Sequence, residues 1–193
     1  VRQVLLLIGT VAHHEPELRF EFCENTAWQP IGLFVGFLTC TVPLCLKARL
    51  LATLTVFAET PQLSVTVWQA LQQSRCLTPP SGFGLSTGGP PSVASLTAEV
   101  DEAEARVEEF PLTRSALRLL LQLLLSQQQH WQQLHQPGKS GSGGGFCVVD
   151  ASALRFVNEV VFLKHAMRSY RRPAERWSIA ATCIEVGAPC CVL

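Results

Sequence analysis

The chain has 193 residues, a formal net charge of zero, 16% charged residues and 48% apolar residues. An ordinary soluble domain contains roughly 25% charged residues, so much of the apolar surface here must be covered by other protein. The zero net charge removes the global electrostatic argument for binding nucleic acid or a membrane surface. The length suits either one domain or a part of a larger array.

The beginning of the chain predicts a fragment. Val1 stands where an initiator methionine is expected, and Arg2–Ile8 reads directly as apolar helix. The charged, apolar and small-residue regions of a signal peptide are not present in this order. We therefore expect a piece of a longer protein.

The cysteines lie mostly in apolar helical context, where cysteine behaves as a small buried hydrophobe. They form no CxxC pair and lie away from the histidines in sequence, so their spacing does not fit a structural zinc site. A reducing, intracellular setting is predicted. The eight cysteines are Cys23, Cys40, Cys45, Cys76, Cys147, Cys183, Cys190 and Cys191.

Residues 1–78 are predicted to form a helical solenoid segment. Apolar residues recur at helical spacing, and the alternation typical of strands is nearly absent. Prolines stand near several helix starts, where the missing N–H costs no hydrogen bond, and Thr60 precedes one of them as an N-cap. The predicted helices are Val1–His13, Glu17–Asn25, Pro30–Cys40, Pro43–Glu59 and Pro61–Ser74.

The remainder is predicted as two helical pairs at 96–136 and 150–186, with a Pro/Gly-rich loop at 79–95 and a Gly/Ser-rich linker at 137–149. The first pair begins with an amphipathic helix and continues in a long leucine-rich helix. Residues 187–193 read as an irregular tail at a truncated or misspliced end. The amphipathic helix has an apolar stripe of Leu96, Val100, Ala103, Val107 and Phe110 and a solvated face of Glu99, Asp101, Glu102, Glu104 and Glu108.

These segments predict an all-α fold, a right-handed-type helical solenoid segment of about seven or eight helices with two disordered insertions. No clean fixed-period repeat is present. Trp68, Phe110 and Trp177 are predicted to be core anchors, with partner contact as the lesser reading for each.

Short motifs imitate chemical sites without the context that such sites need. Gly84-Leu85-Ser86-Thr87-Gly88 has the GxSxG pattern of a serine hydrolase, but flanking prolines leave no strand-to-helix elbow for Ser86. Gly138-Lys139-Ser140 resembles only the end of a phosphate-binding loop. The histidine pairs do not share a helix face. We therefore predict no catalytic, cofactor-binding or metal-binding residue, no cofactor and no enzymatic activity.

A membrane protein is the main alternative. Asn25–Leu46 contains 22 residues without a formal charge, which is long enough to span a bilayer. Pro30 and Pro43 interrupt it, so two short buried helices are the preferred prediction. Cys190-Cys191-Val192-Leu193 has the shape of a prenylation signal, but no polybasic run precedes it.

A basic cluster follows the second linker, with Tyr170 and Trp177 nearby. Such a cluster can hold phosphates or an acidic partner. The acidic helix over Glu99–Glu109 offers an intramolecular or intermolecular counterpart, and the neutral total charge argues against nucleic acid. The cluster consists of Lys164, Arg168, Arg171, Arg172 and Arg176.

Six stretches of the sequence stand out when they are taken in order. They are Cys23-Glu24 with Trp28-Gln29-Pro30; Val42–Leu54 with Phe57; Trp68-Gln69-Ala70-Leu71; Glu109-Phe110-Pro111-Leu112-Thr113-Arg114; Val161-Phe162-Leu163; and Tyr170–Trp177. In this order they resemble the large inner-ring scaffold nucleoporins, the nucleoporin 205 family. The resemblance covers about residues 15–186 and stops at the two insertions and after Val186.

The resemblance implies an α-solenoid in the inner ring of the nuclear pore complex, at the nuclear envelope. It implies a structural role, in which the segment binds linker and inner-ring nucleoporins and supports nucleocytoplasmic transport. It implies no enzymatic residue and no small-molecule substrate. The resemblance assigns no partner-binding residue to these positions.

Overall fold

The computed structural model describes residues 1–77, 96–134 and 151–187, and within these ranges it contains helices and no strand. The all-α prediction is confirmed. The first five helices are α1 (Arg2–His14), α2 (Pro16–Cys23), α3 (Pro30–Leu38), α4 (Leu44–Phe57) and α5 (Pro61–Ser74).

Four further helices follow, two of which contain a π-helical stretch. Helix α6 comprises Leu96–Ala98, the π-helical Glu99–Glu104 and Ala105–Val107; α7 is Pro111–Leu134; α8 comprises Ala151–Arg155, the π-helical Phe156–Phe162 and Leu163–His165; and α9 is Pro173–Gly187. The described residues thus form nine helices, compared with the seven or eight predicted.

Proline determines where many of these helices begin. Helices α2, α3, α5, α7 and α9 each start at a proline, where the ring fixes φ and the missing N–H would have had no partner. Pro43 directly precedes α4. Thr60 occupies the N-cap position of α5 in an extended conformation, but its side chain makes no capping hydrogen bond.

The helices pack as a row with a second layer beside it. Helices α1, α4, α7 and α9 form the row, each packing on the next, and the contact between α4 and α7 is the most extensive. Helix α3 packs on α4, α5 packs on α7, and α8 packs on α9. Two contacts show that α1 runs parallel to α4. Near the start of α1, Leu5 O accepts from Thr53 Oγ1 at 3.4 Å, and near its end His13 Nδ1 lies 3.0 Å from Oε1 of Glu59, which follows α4. This is the arrangement of a helical solenoid segment.

The core lies where α4 meets α3, α5 and α7. Phe57 is fully buried and stacks on Phe34 with ring centroids 5.9 Å apart. Trp68 is also buried, as predicted. Ser126 Oγ donates to Ala58 O at 2.5 Å and joins α7 to the end of α4. Because these contacts link helices far apart in sequence, the described segments form one packed body.

The predicted faces of α6 are partly wrong. Leu96 and Val100 are fully buried, but Val107 is 54% exposed and Glu104 is 0% exposed. The π-helical stretch Glu99–Glu104 explains this, because each of its hydrogen bonds spans one residue more than in an α-helix. The residues from the end of this stretch onward are therefore rotated about the helix axis, so that Glu104 faces the core and Val107 faces solvent.

The prediction that Trp177 is a core anchor is also wrong. Its exposure is 70%, whereas Glu175 and Ile179 on either side of it are buried. Residues two apart in an α-helix point in nearly opposite directions, so the face that buries Glu175 and Ile179 turns Trp177 outward. Helix α9 ends at Gly187, one residue beyond the predicted end.

Candidate functional site: an acid–base junction and two open apolar faces

The acidic helix and the basic cluster meet within the chain. Asp101 on α6 accepts hydrogen bonds from Lys164 Nζ at 2.5 Å and from Arg168 Nη2 at 2.6 Å. The Arg168 side chain is only 7% exposed, so its charge needs this carboxylate. Asp101, Lys164, Arg168 and Phe110 form what we call the acid–base junction. The intramolecular counterpart predicted for the basic cluster is thus present.

Arg168 connects three parts of the junction. The same nitrogen that binds Asp101 also donates to Val160 O at 2.7 Å, within the π-helical stretch of α8. Its guanidinium lies over the Phe110 ring, 5.6 Å from the centroid. A cation over an aromatic face gains about 2 kcal/mol when it is desolvated. Arg168 therefore holds α6, α8 and the start of α7 together.

Phe110 confirms the prediction of a core anchor. It is fully buried, and its ring centroid lies 4.7 Å from that of Tyr170. Its backbone N–H donates to Glu175 Oε1 at 3.2 Å, and the same carboxylate lies 3.6 Å from Arg114. The Phe-Pro motif that ends the acidic segment is therefore fixed by residues of α9.

Glu104 is a structural carboxylate that the sequence pattern placed on the wrong face. It accepts hydrogen bonds from the backbone N–H of Leu112, from Thr113 N at 3.1 Å and from Thr113 Oγ1 at 2.6 Å. Those N–H groups belong to the first turn of α7, which has no intrahelical partners for them. Burial raises the pKa of Glu104 to about 7, and the hydrogen bonds from Thr113 and Leu112 oppose this rise.

The rest of the basic cluster divides into a paired and an exposed part. Arg171 Nη1 lies 3.0 Å from Glu109 Oε1, and its N–H donates to Glu108 O at 2.9 Å. Arg172 and Arg176 are exposed and make no ion pair with any acidic residue that the structure describes. Only this second part offers free positive charge at the surface.

Two further ion pairs join helices and were not predicted. Lys47 is 0% exposed and its Nζ lies 2.5 Å from Glu99 Oε1. Arg19 is buried, donates to Val56 O at 2.9 Å and pairs with Glu59. Both cations adjoin apolar sequence, and nothing in that local sequence indicates a partner forty or more residues away.

Apolar side chains remain exposed at both ends of the row. On α1, Val4 is 57% and Leu7 64% exposed, and Val11 continues their stripe. At the other end, Met167 between α8 and α9 is 85% exposed and Ile184 of α9 is 62% exposed. Exposed apolar side chains grouped on a helix face in this way are candidates for contact with other protein.

A comparison with protein families shows the family of the chain. A family described as "Nuclear pore complex scaffold, nucleoporins 186/192/205" matches residues 2–190. The chain belongs to this family. The resemblance inferred from the sequence is thereby confirmed.

Two curated relatives support the same assignment. "Nuclear pore complex protein Nup205" of Homo sapiens is 32% identical over 188 residues, which cover 94% of this chain and 8% of the relative. The protein of the same name from Drosophila melanogaster is 28% identical over 184 residues, which cover 95% of this chain and 8% of the relative. This scaffold nucleoporin segment therefore spans about 8% of the length of the relatives that it matches.

The membrane alternative gains no support in this nucleoporin segment. Among the helices within 1–77, 96–134 and 151–187, none combines the length and apolarity needed to cross a bilayer. The span proposed over Asn25–Leu46 is divided as predicted, because α3 ends at Leu38 and α4 begins at Leu44. The lipid-anchor motif at Cys190 lies outside the described residues.

The structure bears differently on the hydrolase and phosphate-binding motifs, on possible metal ligands and on the cysteines. Ser86 of the hydrolase pattern and Gly138-Lys139-Ser140 lie outside the described residues. Within the described part of the chain, no group of three or more His, Cys, Asp and Glu side chains could hold a metal ion. Burial raises the pKa of the thiols of Cys23 and Cys183 to about 12, which disfavours the nucleophilic thiolate form at neutral pH.

Proposed function

We propose that this chain is a structural segment of the nuclear pore scaffold, located in the pore complex at the nuclear envelope. Its role is to continue a stack of helices and to bind other nucleoporins of the linker and inner-ring type. Through this role it supports nucleocytoplasmic transport. Family membership supports the scaffold role, and such a role requires no catalytic residue.

The observation that best supports this proposal is the open apolar surface at both ends of the row. Helix α1 has one apolar side packed on α4 and another exposed through Val4 and Leu7. Helix α9 buries Ile179 against the row and exposes Trp177 and Ile184. A solenoid repeat contacts a neighbour on each side, so both faces are suited to stacking of further helices.

Domain boundaries remain a prediction. The three helical blocks at 1–78, 96–136 and 150–186 are separated in the prediction by 79–95 and 137–149, which fall outside the described residues. The described blocks pack together through α4, α7 and α9. We propose that the separating segments are insertions into one stack.

A replacement experiment in human cells tests the proposal. The matched segment of the human relative is exchanged for this chain, and the endogenous protein is depleted. We expect the chimera to localise to the nuclear rim and to restore import of a fluorescent cargo. A chimera that folds and stays diffuse in the cell would contradict the proposal.

Variants of the chimera test the open faces. Trp177→Asp together with Ile184→Asp adds charge to the open face of α9, and we expect loss of rim localisation. Arg118→Glu is the matched control, because Arg118 is an exposed residue of α7 outside that face. If the two variants localise to the nuclear rim equally, the open face of α9 is not needed for localisation, which would contradict this part of the proposal.

A further inference from the structure

A groove runs between the parallel helices α1 and α4, along the side of the row. Its volume is about 280 Å³. On α4 it is lined by Arg49, Ala52, Thr53 and Val56, whose spacing places them on one side of that helix. From Arg49 to Val56 the helix rises about 10 Å, enough for a few side chains of an extended peptide.

The α1 side of the groove differs from the open end face. Leu6, Thr10 and His13 line the groove. Val4 and Leu7 belong to the exposed stripe at the end of the row and do not line the groove. Helices that extend the stack from that stripe therefore leave the groove accessible from the side.

Small residues create the space in the groove. Gly9 of α1 lies opposite α4, and a Cβ added there would meet only Thr53 Oγ1, at 3.7 Å. That separation is ordinary van der Waals contact, so the fold itself does not require glycine at this position. Ala52 also lines the groove, and its small side chain leaves space on the α4 side.

The groove is basic. Arg49, His13 and His14 line it, and no acidic residue is among its lining residues. His13 contacts Glu59, whereas Arg49 forms no ion pair within the described part of the chain. The hydroxyl of Thr10 donates to Leu6 O at 2.9 Å and is already satisfied. Among the described residues, Arg49 therefore offers an unpaired guanidinium beside the apolar wall of the groove.

We propose that this groove binds an extended acidic and leucine-rich segment of another polypeptide. A carboxylate of that segment pairs with Arg49, and an aliphatic side chain fills the space over Gly9 and Ala52. Guanidinium groups bind carboxylates with two parallel hydrogen bonds, which fixes the register of the segment. The inference rests on the proposed function in one respect, since it gives the chemistry of one partner that the scaffold binds.

Peptide binding to the purified chain tests the groove. The probe is a fluorescein-labelled decapeptide of alternating glutamate and leucine, followed by fluorescence anisotropy. Decapeptides of alternating lysine and leucine and of alternating glutamate and serine are the controls for charge and for apolar contact. We expect binding of the glutamate–leucine peptide and at least about tenfold weaker binding of both controls.

Variants of the chain locate the binding. Arg49→Glu is expected to weaken binding by about tenfold or more, because it reverses the charge that the carboxylate needs. Gly9→Leu fills the groove and is expected to weaken binding similarly. Gly36→Leu is its matched control, because Gly36 lies on α3 outside the groove and an added Cβ there meets nothing within 4 Å, so binding is expected to be unchanged. Arg118→Glu changes an exposed arginine on α7 in the same way and is expected to have no effect.

Several outcomes would overturn the inference. They are equal or tighter binding of the lysine–leucine peptide, unchanged binding by Arg49→Glu, or an equal loss with Arg118→Glu. If thermal unfolding shows that Gly9→Leu no longer folds, Arg49→Glu and the two control peptides still test whether the groove binds the peptide. A failure here leaves localisation of the chimera at the nuclear rim untouched, so the two proposals fail separately.

Discussion

Glu104 makes the stability of the folded chain depend on pH. Burial raises the pKa of its carboxyl from an ordinary value of 4.5 to about 7. Between these two values the folded state retains a proton that the unfolded state releases. The free energy of unfolding therefore decreases as the pH rises through this window, and the contribution is fully present below the lower value.

The size of the effect follows from the difference in pKa. Each unit of pKa difference is worth roughly 1.4 kcal/mol, so a carboxyl raised from 4.5 to about 7 contributes about 3 kcal/mol across the window. This is a large part of the 5 to 15 kcal/mol that is typical for the stability of a domain. It is large enough to measure by chemical unfolding.

Urea unfolding followed by circular dichroism measures this dependence. The unchanged chain and Glu104→Gln are compared at several pH values between 4.5 and 7. Glutamine is neutral throughout and keeps an oxygen that can accept from the first turn of α7. We expect the unchanged chain to lose about 3 kcal/mol more than the variant across the window.

A matched control and a contradictory result complete the experiment. Glu102→Gln changes an exposed carboxylate on the same helix, so its pH dependence is expected to equal that of the unchanged chain. If Glu104→Gln shows the same slope as Glu102→Gln, the carboxyl does not retain its proton on folding. The reasoning from burial would then be refuted.

Three other perturbations have defined outcomes. Asp101→Asn removes the negative charge shared by two cations and one of its two acceptor oxygens, and we expect a loss of about 2 to 3 kcal/mol in urea unfolding that 1 M salt does not restore; a loss that salt abolishes would contradict this. Phe57→Ala leaves a cavity and should cost about 3 to 5 kcal/mol, whereas Trp177→Ala should change stability by less than about 0.5 kcal/mol; similar losses would refute the assigned faces. Iodoacetamide should label the exposed Cys40 in the native chain and leave the buried Cys76 unlabelled, as read by mass spectrometry; rapid labelling of Cys76 would contradict its burial.

Helix boundaries and much of the core could be predicted because they depend on local chemistry. Proline at the first helical position predicted the starts of α3 and α9, and the predicted ends differ from the observed ends by one or two residues. The burial of Trp68 followed from apolar spacing on one helix face. These features require information from only one turn or two of the chain.

The faces of α6 could not be predicted, because the pattern assumed one constant helical period. The π-helical stretch Glu99–Glu104 changes that period within a single helix. A glutamate among other glutamates indicates solvent, and only the tertiary position of α7 gives Glu104 its hydrogen-bond donors. The position of Glu104 therefore depends on tertiary contacts that the local pattern does not contain.

The charged and apolar residues of this segment have separate structural tasks. Lys47 with Glu99, and Arg168 with Asp101, join helices that are more than fifty residues apart in sequence. Several of the scarce charges are thus used inside the fold, where low exposure protects them from screening by salt. The open face at Trp177 and Ile184 instead offers apolar surface, whose burial gains roughly 25 cal/mol per Å² without dependence on ion pairing. In the scaffold role that we propose, specific ion pairs hold this segment together and apolar stacking joins it to its neighbours.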